Sequence, residues 1–226
     1  MPVSHRVQFQ EELGRLETQA LGALDLVVTT LDRTLEALQH RDIELAAIVI
    51  QDDDRIDGRY LEVHQGILSL LALQAPVASD LRVVAALLHV IKHAERMGDQ
   101  CVNIAKVLPI SGTEPPQDET IMNKIERMGA LARSEVSQAK QAFLLRDVGL
   151  AEDLVRQDEE LNQLNKEIFQ RAVECGTDPD VREWAMTMML VARALERIGD
   201  NAVDVGEQVA FVVTGLFREF SDASHR

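Results

Sequence analysis

Hydrophobic residues recur every three to four positions through nearly the whole chain, which is typical of amphipathic helices. The intervening positions are rich in Ala, Leu, Glu and Arg, which favour helix, and only 4% of residues are aromatic. The sequence therefore predicts an all-α protein. Interruptions of the pattern predict six helices, with the ranges Phe9–Gln39, Asp42–Leu73, Val77–Leu108, Glu119–Leu145, Gly149–Val173 and Pro179–Leu216.

The second half of the chain repeats the first. Residues 95–103 (ERMGDQCVN) return as residues 196–204 (ERIGDNAVD), and residues 41–46 (RDIELA) return as residues 146–151 (RDVGLA). Because the repeated segments occur in the same order, each half is predicted to form the same three-helix unit.

Residues 109–118 (PISGTEPPQD) separate the two copies, and proline and glycine there cannot continue a helix. We interpret this stretch as the linker between a first repeat, residues 1–108, and a second repeat, residues 119–226. The short reversals within each repeat predict antiparallel neighbouring helices. The predicted architecture is two tandem three-helix bundles related by pseudo-two-fold symmetry.

Each repeated motif places oxygen-bearing side chains four residues apart, in one row along a helix. Asp53 and Asp158 also fall in rows of apolar residues, which predicts that they face the core. A buried carboxylate is costly unless a cation or a strong hydrogen-bond donor compensates it. The candidate metal ligands are Asp53, Asp57, Glu95, Asp99 and Asn103 in the first half and Asp158, Asn162, Glu196, Asp200 and Asp204 in the second half.

An arginine salt bridge is the alternative way to compensate these acids. Arg96 and Arg197 directly follow Glu95 and Glu196, but consecutive helical residues project about 100° apart and do not face each other. Oxygen ligands suit magnesium, calcium, manganese or iron, and zinc is also compatible. Ligand steps of about 6 Å along a helix favour several ions over one.

Other site chemistries fit the sequence poorly. Di-iron bundle enzymes use Glu-x-x-His motifs, and none of the six histidines has glutamate three residues before it. His89 and His93 lie four residues apart but have no further His or Cys ligand nearby, so we assign them to the surface or to helix packing. No P-loop, Gly-x-Ser-x-Gly elbow or dinucleotide fingerprint is present. We predict no catalytic residue.

The net charge of −15 argues against nucleic acid or anionic lipid as a ligand. Two cysteines do not make a disulfide framework, and the N-terminus does not resemble a signal peptide. No apolar run reaches the roughly 20 residues that span a bilayer. We therefore expect a cytoplasmic protein that meets membranes only through partners.

With these features the chain resembles the PhoU family of bacterial phosphate-transport accessory and signalling proteins. The resemblance covers both repeats and rests on the two Glu-Arg-x-Gly-Asp motifs, on Asp53 and Asp158, and on the tandem layout. It implies multinuclear iron or zinc clusters at the acid pairs and frequent homodimers. It also implies a negative regulator that links the phosphate ABC transporter, through its ATPase subunit, to the phosphate sensor histidine kinase.

Two departures from strict repetition predict that the two metal sites differ. The second half has Asn162 where the first has Asp57, and Asp204 where the first has Asn103. The alternative function is a metal-dependent phosphohydrolase or a metal-buffering protein that uses the same acids.

Overall fold

A computed structural model of the protein describes residues 3–74, 76–110, 117–175 and 179–220. Within these residues the chain forms helices and no strand, so the predicted all-α class is confirmed. The helices are α1 Val3–His40, α2 Ile43–Gln51, α3 Asp54–Leu73, α4 Ala78–Val107, α5 Glu119–Leu145, α6 Val148–Glu174 and α7 Pro179–Thr214.

The predicted continuous helix Asp42–Leu73 is wrong, because the structure divides it into α2 and α3. The chain turns at Asp52 and Asp53, where the amide of Arg55 donates to the carbonyl of Asp52 at 3.1 Å, a three-residue step. Aspartate is a weak helix former, and negative charge is unfavourable at the C-terminus of α2. The equivalent helix of the second half, α6, runs without a break.

Each half reverses direction at the same point of the repeat. Arg41 and Arg146 adopt the left-handed conformation, with φ of 53° and 55°, and they follow α1 and α5 respectively. The next residues, Asp42 and Asp147, cap the following helices by accepting from the amides of Leu45 at 2.8 Å and Leu150 at 3.1 Å. These reversals fold each half into an antiparallel bundle.

The two bundles pack side by side through equivalent helices, α1 against α5 and α4 against α7. Ion pairs of 2.7 Å join α1 to α5, from Lys140 to Asp25 and from Arg133 to Asp32. Contact between equivalent helices is what a two-fold relation produces, and the predicted tandem bundles are confirmed.

Residues 111–116 of the predicted linker lie outside the described residues, and the predicted repeat boundaries stay predictions. Across the residues that the structure does describe, no helix combines the length and the apolar character needed to cross a membrane.

Candidate metal centre

The first acidic cluster consists of Asp53, Asp57, Glu95 and Asp99, which come from the α2–α3 turn, α3 and α4. Burial, with the charges of Asp57 and Asp99, raises the pKa of Asp53 to about 6. Burial, with the charges of Glu95 and Asp57, also raises the pKa of Asp99. The structure therefore brings these four predicted residues together, close enough for the neighbouring charges to raise the pKa of Asp53 and of Asp99. Asn103, one turn beyond Asp99, is exposed.

The second acidic cluster consists of Glu135, Asp158, Asn162 and Asp200, from α5, α6 and α7. Asp158 is buried, as its apolar row predicts, and Asn162 is buried as well. The side-chain amide of Asn162 donates to Oδ2 of Asp158 at 2.7 Å. At the position where the first cluster has the acid Asp57, the second cluster therefore has Asn162, which donates a hydrogen bond to Asp158.

Glu135 is the residue of this cluster that sequence reasoning missed. Its side chain is 0% exposed, and neither of its oxygens receives a hydrogen bond from the described residues. Burial raises its pKa to about 9, and the charges of Asp158 and Asp200 add to the shift. A signal was available: Glu135 lies on the row of α5 that includes Ala132 and Ala139, both fully buried.

Gly199 of the second Glu-Arg-x-Gly-Asp motif lets this cluster form. A Cβ atom at Gly199 would lie 2.5 Å from Oε2 of Glu135 and 2.8 Å from Oδ1 of Asp158. Both oxygens therefore lie against the same point of α7, and the distance between them is at most 5.3 Å. At Gly98, the equivalent glycine, a Cβ would instead meet Cδ1 of Ile56 at 2.9 Å and Oδ1 of Asp53 at 3.4 Å.

Glu95 and Glu196 have basic partners that the sequence analysis did not consider. Lys92 lies 2.7 Å from Glu95, and Arg193 pairs with Glu196, in both cases from three residues earlier on the same helix. As predicted, the arginines that directly follow these acids do not pair with them. The basic partners lie one turn earlier on the same helix. The first acid of each motif is therefore partly neutralised within its own helix.

Asp204, the last predicted ligand of the second half, contacts the first half. Its Oδ2 lies 3.4 Å from Nδ1 of His93, and the same nitrogen lies 2.7 Å from Oδ1 of Asn201. His93 is buried, and its burial lowers its pKa. This contact joins α4 to α7, so His93 has the packing role that the sequence analysis assigned to it.

The carboxylate and amide oxygens of the two clusters suit a cation that prefers oxygen ligands. Neighbouring carboxylates raise the pKa of Asp53 and Asp99 in the first cluster and of Glu135 in the second. Glu135 is also buried without a hydrogen bond from the described residues, so a bound cation would relieve both costs. With the side chains as they stand, no group of three or more His, Cys, Asp or Glu in the described residues converges closely enough to hold a metal ion. The metal sites stay a prediction that this chemistry supports.

Comparison with known proteins identifies the family. The family model described as the PhoU domain matches residues 22–108 and 125–209, one match in each repeat. The chain belongs to the PhoU family. A Deinococcus radiodurans protein named phosphate-specific transport system accessory protein PhoU homolog is 33% identical over 213 residues, which cover 93% of this chain and 98% of the relative.

Solved structures of PhoU proteins share the fold over their full length. PhoU from Streptococcus pneumoniae, a phosphate transport system regulatory protein, superposes with a TM-score of 0.86 at 27% identity, covering 93% of this chain and 99% of that chain. PhoU from Pseudomonas aeruginosa gives a TM-score of 0.85 at 26% identity, covering 92% of this chain and 100% of that chain.

Proposed function

We propose that this protein is a negative regulator of phosphate uptake and of phosphate-starvation signalling. It acts in the cytoplasm as an adaptor between the ATPase subunit of the phosphate ABC transporter and the phosphate sensor histidine kinase. The observation that carries the proposal is the PhoU match in both repeats. Relatives similar over nearly the whole chain are named phosphate-specific transport system accessory proteins.

We further propose that the two acidic clusters hold iron or zinc clusters. Asp53, Asp57 and Asp99 would hold the first, and Asp158 and Asp200 the second. Bound cations would neutralise carboxylates that now oppose one another, and they would give a strongly acidic protein a positive site to which phosphate could bind. Glu95 and Glu196 would join these sites only on leaving their basic partners.

Expression of the phosphate-starvation regulon in phosphate-rich medium tests the regulatory role. We expect derepression when the gene is deleted in its host and repression when the wild-type gene is restored. The double variant Asp53→Asn/Asp158→Asn is expected to leave the regulon derepressed, because each change removes a carboxylate from the inside of a cluster. The matched control is Asp54→Asn/Glu159→Gln, which neutralises two exposed neighbouring acids and is expected to restore repression.

A regulon that stays silent in the deletion strain would contradict the regulatory role. The acidic clusters would then favour the alternative, a metal-dependent phosphohydrolase or metal-buffering protein. Metal-dependent hydrolysis of a phosphate monoester by the purified protein, lost in Asp53→Asn/Asp158→Asn and kept in the control, would identify the enzyme. Metal binding without turnover would identify the buffer.

We also propose a homodimer, with the groove between α6 and α7 as its interface. The groove has a volume of about 910 Å³ and contains the exposed apolar side chains of Phe169, Met186 and Leu190. The repeat places His64, Ala85 and His89 at the equivalent positions of the first half, so the fold itself does not require this apolar surface.

Charge also favours a second copy of the chain as the partner. Glu183 and Arg193 both line the groove. They are ten positions apart on α7, which corresponds to about 15 Å along the helix axis. A two-fold axis through the groove would set Glu183 of one copy against Arg193 of the other, and Arg193 would exchange its ion pair with Glu196 for this contact.

Light scattering after gel filtration tests the dimer. We expect the wild type to have twice the chain mass and Leu190→Glu to have the mass of a single chain, because the new charges would meet at the two-fold axis. Leu68→Glu makes the same change at an exposed leucine of α3 and should leave the dimer intact. A wild-type protein of single-chain mass at micromolar concentration would contradict the homodimer, and an unchanged Leu190→Glu dimer would place the interface elsewhere.

A further inference from the structure

Glu135 is a buried acid whose charge nothing in its described surroundings compensates. Its two oxygens receive no hydrogen bond from the described residues, and Oε2 faces the same point of Gly199 as Oδ1 of Asp158. An isolated carboxylate buried beside another carboxylate is among the least favourable arrangements in a protein core. Glu135 lies on the same face of α5 as the fully buried Ala132 and Ala139. An apolar residue costs less to bury there than a carboxylate, so stability of the fold does not account for Glu135.

The first half shows the same site without this acid. The alignment that pairs Arg41 with Arg146 pairs Thr30 of α1 with Glu135 of α5. Thr30 is half-buried, and the space beside Gly98 is occupied by Ile56 and Asp53, with no side chain from α1 among its nearest atoms. The second cluster thus draws an acid from a helix that contributes none to the first cluster.

We propose that Glu135 is a ligand of the cation site in the second half, where it supplies the negative charge that Asn162 lacks relative to Asp57. This inference rests on the proposed metal binding and extends it to a residue outside the repeated motifs. The cation is divalent and prefers oxygen ligands.

Asn162 then has a positioning role. Its amide donates to Oδ2 of Asp158, which leaves Oδ1, the oxygen that lies against Gly199, on the side of Glu135. The ligands of the second site would accordingly be Glu135, Asp158 and Asp200, from three different helices, and their carboxylates would move closer together to hold the ion. Glu135 and Asp158 are both buried and only Asp200 is exposed. An ion at this site would therefore be more enclosed than one held by Asp57 and Asp99, which are both exposed.

Zinc titration of the full-length, chelator-treated protein tests this inference. Asp53→Asn/Asp99→Asn serves as the background, because it disables the first cluster and leaves the second. In this background we expect Zn²⁺ to bind by calorimetry and to raise the melting temperature. Adding Glu135→Gln should weaken Zn²⁺ binding by at least about 10-fold and remove the rise in melting temperature. Without metal, the same change should raise the melting temperature at neutral pH, because glutamine, unlike a carboxylate with a raised pKa, does not have to take up a proton when the protein folds.

Glu135→Gln should thus have opposite effects on the melting temperature with and without metal. This pattern distinguishes a metal ligand from a residue with a purely structural role. If Glu135 merely stayed protonated and shared its proton with Asp158, glutamine would also donate to Asp158, and zinc affinity would not change; that result would overturn the inference. The matched control is Glu126→Gln, an exposed glutamate on the same helix, which should bind zinc as the background does. Absence of zinc binding even with Glu135 present would overturn the proposed metal site itself.

Discussion

Gly199→Ala is expected to lower the free energy of unfolding by about 2–3 kcal/mol, whereas Gly98→Ala should change it by less than about 1 kcal/mol. Alanine favours helix by about 1 kcal/mol over glycine at both positions, so the difference comes from space. At Gly199 the new methyl group would lie 2.5 and 2.8 Å from two carboxylate oxygens in a closed core. At Gly98 its nearest neighbour is the terminal methyl of Ile56 at 2.9 Å, an apolar contact, and the nearest carboxylate oxygen is 3.4 Å away.

Urea denaturation in the presence of chelator, followed by helical circular dichroism, measures both variants. The two glycines occupy the same place in the repeated motif, so each variant controls for the other. Equal losses of stability would show that the carboxylates of Glu135 and Asp158 do not approach α7 as closely as the structure places them.

The second large effect is a loss of stability of the metal-free protein as pH rises from about 5 to 9. In the folded state the pKa of Glu135 is raised to about 9 and that of Asp53 to about 6. At a pH between the unfolded-state and folded-state pKa of either group, the folded protein therefore binds more protons than the unfolded protein. The stability that these two groups contribute is fully present at pH values below their unfolded-state pKa. It is lost as the pH rises through their folded-state pKa. We expect Glu135 to account for about 2–4 kcal/mol of the loss.

Thermal melts at a series of pH values, with chelator, measure this loss. Glu135→Gln should flatten the profile between pH 6 and 9, roughly the window set by the raised pKa of Glu135, and Glu126→Gln should leave the profile as in the wild type. A divalent cation should restore stability at high pH, because it binds the ionised carboxylates. A wild-type protein equally stable at both ends of this range would mean that Glu135 is solvated, contrary to its burial.

The family resemblance predicted from two motifs and a repeat is confirmed, and so is the tandem helical architecture. Both follow from patterns within single helices, where the 3.6-residue period shows which side is apolar. The same period places Asp158 on the inside of α6, where the structure has it.

Contacts outside the repeated motifs were not predicted. The bases that pair with Glu95 and Glu196 are Lys92 and Arg193, one turn earlier on the same helices, and not the arginines directly after these acids. The break between α2 and α3 was not predicted either, because the apolar period continues through Asp52 and Asp53 and the turn is visible only in the hydrogen bonds.

By itself the sequence determined the helical class, the internal two-fold repeat and the side of each helix on which the acids lie, because these properties depend on residue spacing along one chain segment. Only the tertiary structure decided which acids meet. It brought Glu135 from α5 against Asp158 and Gly199, and it turned Asp204 toward His93 of the other half. Periodicity fixes the direction of a side chain around its own helix axis, but the residue it faces depends on how far neighbouring helices slide and rotate when they pack.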